Sequence, residues 1–286
     1  MSGCLLIDCD KMQANLCFMS GKLVSQFKAG VITPVHKKGK PQRNPDSYHR
    51  ITVNSIIGKV FEKELLDRTK KILNPQQHEL QFGFTEKCSS THCALMLTEA
   101  TAEVLDTGRT LYITFMDAKK AFDVVWHESM LVSLHNSSVT GPMWNMYDNM
   151  YTDLTSQVKI DGNLSVPIKE LQGIRQGGLT STELFKNRSN MMLKRLAELP
   201  DSFRIGCLPI GAPTTADDTA LLSSTKLGAQ AQIFVAQDDA NNQRYGFSSA
   251  KTKVQIVNNP SHEIVSLSLN KEPIEISLQE THLGVQ

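Results

Sequence analysis

The run Thr110-Leu-Tyr-Ile-Thr-Phe-Met116 constrains this chain more than any other feature. β-Branched and aromatic residues fill it, so it reads as a buried strand, and it runs directly into Asp117. The pattern around it alternates helix and strand. From Asn54 to Leu73 the apolar positions Ile56, Ile57, Val60, Phe61, Leu65, Leu66, Ile72 and Leu73 recur at three-to-four spacing. That predicts an amphipathic helix capped by Asn54 or Ser55 and stopped before Pro75. Further helices are expected over 91–105, 126–134, 142–151, 184–199 and about 226–244. Strand patterns fall at 30–33, at 158–160 and 166–168 around an Asp161-Gly162 turn, within 208–223, and at 253–257. A last hairpin, 264–269 and 274–278, is expected to turn at Asn270-Lys271. The order predicts the α+β class, a sheet with helices packed on one face, in two lobes of one unit.

Composition excludes several classes. At 286 residues and 40% hydrophobic, the chain has length enough for a sizeable core. It has no run of 18 apolar residues, so a membrane span is not expected. Its start carries Asp8 and Asp10 and does not read as a secretory signal. Six cysteines in so long a chain fit reduced thiols in an intracellular protein better than a disulfide scaffold. The spacing in Cys88-Ser-Ser-Thr-His92-Cys93 suits no common zinc module. Met191 and Met192 read as ordinary core. The net charge is only +1, but residues 22–71 hold twelve basic side chains against four acids, leaving −7 for the remainder. A polyanion gripped at one end is one reading; a solvated basic face is the other. Within this stretch, His36-Lys37-Lys38-Gly39-Lys40 lies between Pro34 and Pro41 and reads as a loop tip.

Two acidic sites stand out. Asp117 closes the 110–116 strand, and Asp217-Asp218 lies between apolar strand segments. Carboxylates buried singly there would be costly, whereas several together suit divalent cations, since Mg²⁺ takes one or two carboxylates plus substrate phosphates. An ordinary pair of turn acids is the competing reading; Asp238-Asp239, inside a helical segment, is such a pair.

Longer motifs carry a resemblance. Thr114-Phe-Met-Asp117-Ala-Lys-Lys-Ala-Phe122-Asp123, Gly173-Ile-Arg-Gln176-Gly177-Gly-Leu-Thr-Ser-Thr-Glu-Leu-Phe185 and Thr215-Ala-Asp217-Asp218 resemble the palm motifs of reverse transcriptases of non-LTR (LINE-type) retrotransposons. Residues 30–40 and 47–62 resemble their fingers motifs, Ser249-Ala-Lys251-Thr252 a late palm motif, and His282-Leu283-Gly284-Val285 the primer grip. The resemblance covers about residues 22–285 in the family's order.

It implies right-hand polymerase fingers (mainly 22–108) and palm (mainly 109–280), with a ferredoxin-like antiparallel palm sheet. Residues 281–286 would open the primer grip, the thumb would be missing, and 1–21 match nothing. A truncated fragment of a retroelement polyprotein is expected. The implied activity is RNA-directed DNA synthesis on an RNA template with a DNA primer and dNTPs. Asp117, Asp217 and Asp218 would hold two Mg²⁺ ions, with Mn²⁺ as a substitute. Lys37, Lys38, Arg50, Phe122, Gln176, Gly177 and Lys251 would contact the nucleotide, with Phe122 as the gate against a 2′-hydroxyl, and Leu283 and Gly284 would touch the primer. The pattern departs from the family at His49, where arginine belongs, at Thr182 in place of proline, and at Thr215 in place of a bulky residue. A remnant that only binds nucleic acid is the alternative.

Overall fold

A computed structural model describes residues 15, 17, 20–259 and 265–277. In chain order its elements are β1 (Ala29–His36), β2 (Tyr48–Val53), α1 (Ile56–Leu73), α2 (Ser90–Thr107), β3 (Leu111–Asp117), α3 (His127–Asn136) and α4 (Gly141–Tyr151). There follow β4 (Thr155–Ile160), β5 (Asn163–Leu164), β6 (Ile168–Lys169), α5 (Ser181–Ala197), β7 (Arg204–Ile205) and β8 (Leu208–Pro209). The remainder are β9 (Thr214–Thr215), β10 (Asp218–Ser223), α6 (Lys226–Asn242), β11 (Lys253–Val257), β12 (Ser268–Leu269), β13 (Glu272–Pro273) and β14 (Glu275–Ser277).

The chain divides into two compact units, each made of two segments: residues 1–76 with 122–185, and 77–121 with 186–286. In the first, β1 pairs antiparallel with β2 and parallel with β4, which carries β5 and β6 as short antiparallel partners. Helix α1 begins where the Ser55 hydroxyl accepts the Gly58 N–H at 3.0 Å, a side-chain cap that satisfies one otherwise orphaned donor. Its buried Thr69 receives the Tyr147 hydroxyl of α4 at 3.0 Å.

In the second unit the sheet runs β14-β11-β3-β10-β9, antiparallel except where β14 joins β11. Helices cover both of its faces. Leu111, Ile113, Ala220 and Leu222 pack with Leu97, Ala100 and Val104 of α2. Tyr112, Met116 and Leu221 pack with Met192, Leu193 and Leu196 of α5 and Ile233 and Ala236 of α6. The expectation of a one-sided sheet is thereby corrected. Successive residues of β3 point to opposite faces, and Leu111-Tyr-Ile offers apolar groups to both. Met192 is core, but Met191 is exposed.

The expected turn at Asn270-Lys271 is present, with β12 and β13 as its short arms. The chain then leaves that hairpin, and β14 lies parallel to β11 instead. Residues 264 and 278, the outer limits of the expected hairpin, lie outside the described residues, as does most of 1–21. Among the described residues no helix is long and apolar enough to cross a membrane.

Candidate active site

The acids gather in the second unit. Strands β3 and β10 are antiparallel neighbours in a register that sets Asp117 directly opposite Asp218. Like charges in that position destabilise a sheet. Asp217 occupies the two-residue turn between β9 and β10, whose first residue, Ala216, has φ 61°. Two-residue hairpins favour such a turn, which usually takes Gly or Asn.

Burial pushes the Asp217 carboxyl above its usual range, and the charges of Asp218 and Asp117 add to the effect, against a backbone hydrogen bond. Asp218 keeps an exposed edge, yet is shifted the same way by partial desolvation and by Asp117, with Lys251 opposing. The Lys251 ammonium lies 3.2 and 3.3 Å from the two carboxylate oxygens of Asp117. The backbone of this corner is strapped: Ser248 N–H donates to the Asp117 carbonyl at 2.8 Å, and Lys119 N–H to that of Gly246 at 2.9 Å.

Among the described residues, no three His, Cys, Asp or Glu groups form a ready-made metal cage. The donor set nevertheless suits a hard cation that takes one or two carboxylates directly and fills its shell with water and substrate oxygens. Mutually repelling carboxylates with raised pKa gain most from such a charge. The His92 ring stacks on Phe82 at 5.6 Å and closes the α2 capping box with Ser89. Buried Cys93 accepts the Thr215 hydroxyl at 3.1 Å, and burial pushes its thiol up to about 11.

Other candidates fall in the first unit. Arg50 on β2 pairs with Asp123 at 2.9 Å, and Gln176 Nε2 reaches the other Asp123 oxygen at 3.4 Å. Asp123 thus holds two of the predicted residues, a role that sequence reading missed although the residue lies six positions after Asp117 in the same motif. Arg50, Asp123 and Gln176 line a groove of about 1100 Å³ with Arg43, Tyr48 and Lys169. The Gln176 carbonyl accepts Thr52 N–H at 2.8 Å. Gly177 has φ 113°, and a Cβ there would stand 2.7 Å from the Thr52 carbonyl oxygen. The close approach expected of this glycine is therefore made by β2.

Half-buried Phe122 stacks face to face on Phe185, centroids 4.5 Å apart. Lys37 and Lys38 open the loop after β1, where the Lys37 ammonium donates to the Asp46 carbonyl at 3.0 Å. His49 is exposed on β2, and Thr182 lies in the first turn of α5. Leu283 and Gly284 lie outside the described residues.

The family profile described as reverse transcriptase (RNA-dependent DNA polymerase) matches residues 35–277. In Drosophila melanogaster, the chain is similar to the probable RNA-directed DNA polymerase from transposon BS, 27% identical over 56% of this chain and 18% of that protein. The RNA-directed DNA polymerase from mobile element jockey of the same fly is 23% identical over 93% and 29%. The Pol polyprotein of the type-1 retrotransposable element R2 of Nasonia vitripennis is 26% identical over 79% and 22%. The chain thus spans under a third of these relatives' length.

Among solved structures, apo telomerase from Candida tropicalis, truncated from its C-terminal domain, shares the fold with a TM-score of 0.60 at 15% identity, over 97% of this chain and 59% of that one. Telomerase from Candida albicans, solved with a fragment of telomeric RNA, gives 0.59 at 13%, over 87% and 45%. The expected fingers-and-palm fold is that of these neighbours.

Proposed function

The chain belongs to the reverse transcriptase (RNA-dependent DNA polymerase) family, and from that premise we propose that it is the polymerase region of a retrotransposon protein, adding deoxynucleotides to a primer 3′ end on an RNA template. The observation that carries this reading is Asp117 opposite Asp218 with Asp217 in the adjoining turn, three carboxylates gathered against the single cation of Lys251 among the described residues. On this reading Asp117, Asp217 and Asp218 hold two Mg²⁺ ions, which when bound supply Lewis-acid stabilisation of the charge that develops in phosphoryl transfer.

The protein's own groups do the rest. The strapped end of β3 and the β9–β10 turn fix the carboxylates before substrate arrives, so little reorganisation is required during reaction. Lys251 carries a proton that a departing pyrophosphate can take. Asp123 orients Arg50 and Gln176 as donors toward nucleotide or template, Lys37 and Lys38 supply cations for the triphosphate, and Gly177 keeps the Gln176 loop close to β2. The Phe122 ring, braced by Phe185, is the bulk that refuses a 2′-hydroxyl. Fingers (mainly 22–108) and palm (mainly 109–280) name the functional parts on this reading.

Primer extension on an RNA template with dNTPs and Mg²⁺ tests it. Asp217→Ala should lower extension by about 10³-fold, as the loss of several kcal/mol of charge stabilisation implies. Phe122→Ala should extend with ribonucleotides that the parent protein rejects. No extension by the parent protein, with RNA still bound in a salt-sensitive way, would replace the enzyme by a chain that only binds nucleic acid.

A further inference from the structure

Gln81 is 1% exposed and sits on the loop segment between α1 and α2. Its side-chain oxygen accepts two backbone donors, Gly83 N–H at 2.9 Å and Ala216 N–H at 3.1 Å. Its amide nitrogen faces the Ser189 hydroxyl at 3.3 Å and the Ala216 carbonyl at 3.4 Å. Both backbone polar groups of Ala216, the residue before Asp217, therefore meet one buried amide. The segment is stitched to the same hairpin by its own backbone. Phe82 N–H donates to the Thr214 carbonyl and Thr214 N–H to the Leu80 carbonyl, each at 2.8 Å. Gly83 completes the fit: a Cβ there would collide with the Ala216 backbone nitrogen and lie 2.7 Å from its Cα.

Ala216 is held at φ 61°, a conformation that non-glycine residues adopt only when their surroundings impose it. Without an outside constraint an alanine would relax from it and carry Asp217 along. From this geometry we propose that Gln81, with Gly83 as the gap it needs, is a positioning residue that latches the Ala216-Asp217 turn and sets where the Asp217 carboxylate stands. The latch itself is a statement about the turn; its effect on polymerisation rests on the reverse transcriptase reading.

The experiment has a backbone arm and a metal arm, on four forms of the full chain: parent, Gln81→Met, Gly83→Ala and Gln232→Met. Gln232 is an equally buried glutamine of the same unit, bonded to the Leu222 and Gly211 carbonyls, and controls for general loss of stability. Amide hydrogen exchange should show Ala216 protected in the parent. It should exchange roughly tenfold faster or more in Gln81→Met, where its N–H loses a buried acceptor, and again in Gly83→Ala by displacement, but not in Gln232→Met. Mn²⁺ binding followed by electron paramagnetic resonance should weaken about tenfold in the first two variants only. kcat for primer extension should fall with it at unchanged KM for template-primer.

Equal Ala216 exchange in parent and Gln81→Met would overturn the latch. Faster exchange with unchanged Mn²⁺ affinity and kcat would overturn the positioning role. A parent that neither binds Mn²⁺ nor extends a primer would sink the polymerase reading, while the exchange arm still decides the latch.

Discussion

At the scale of single residues, the chemistry turns on where charge is taken out of water. Glu62 shows this away from the acids. It accepts Asn54 Nδ2 at 3.0 Å and Leu179 N–H at 2.5 Å, yet burial outweighs these bonds and pushes its carboxyl up. With the folded-state pKa above the unfolded value, the native chain takes the proton first. The group's favourable contribution is therefore complete below the ordinary glutamate range, about 4.3, and is lost as pH rises through the folded value. Relative to Glu62→Gln, the parent protein should gain melting temperature as pH falls from about 7 to about 4. Melts of both proteins at each pH check this, and a constant difference would mean that the carboxyl is not perturbed. The candidate acids were legible as residues because Asp117 ends an apolar strand pattern and Asp217-Asp218 lies between apolar strand segments. Their environment was not: nothing in the spacing reveals that Asp117 faces Asp218 or that Asp123 joins Arg50 to Gln176.

At the scale of elements, the helices and most strands followed from periodicity, β2 (Tyr48–Val53) did not, and the limits moved where local chemistry decides them. Ser55 rather than Asn54 caps α1, and Gly108 ends α2 with φ 70°. Ser55→Ala should cost about 1 kcal/mol. Gly177→Ala should cost about 1–3 kcal/mol, because its positive φ and the Thr52 carbonyl both resist a Cβ. Urea unfolding measures both, and a Gly177→Ala protein as stable as its parent would mean that β2 does not crowd this turn. The misread elements share one cause. The parallel seating of β14 on β11, and the helices on both faces of the sheet, depend on partners far away in sequence, which a local pattern does not report.

At the scale of the whole molecule, the basic stretch of residues 22–71 is less uniform than its composition. On α1, Lys63 pairs with Asp67 and Arg68 with Glu64 one turn apart, and Lys70 approaches Glu183 at 3.9 Å. The loop lysines 37 and 38 are then the better candidates for phosphate. RNA binding should weaken linearly in log–log with salt, and Lys37→Ala with Lys38→Ala should flatten that slope by about 2 while leaving sequence preference unchanged. Filter binding across a salt series reads the slope, and an unchanged one would return these lysines to solvent. The sequence alone determined most of the helices and strands, though not β2, together with the family and the three candidate acids, since periodicity, turn residues and contiguous motifs are local. Only the tertiary structure decided that two units, each of two chain segments, share the chain, that Asp117 stands opposite Asp218, and that Gln81, 135 positions before Ala216, accepts the Ala216 N–H. Those are contacts between distant segments, selected by which faces bury together and which buried polar groups find partners.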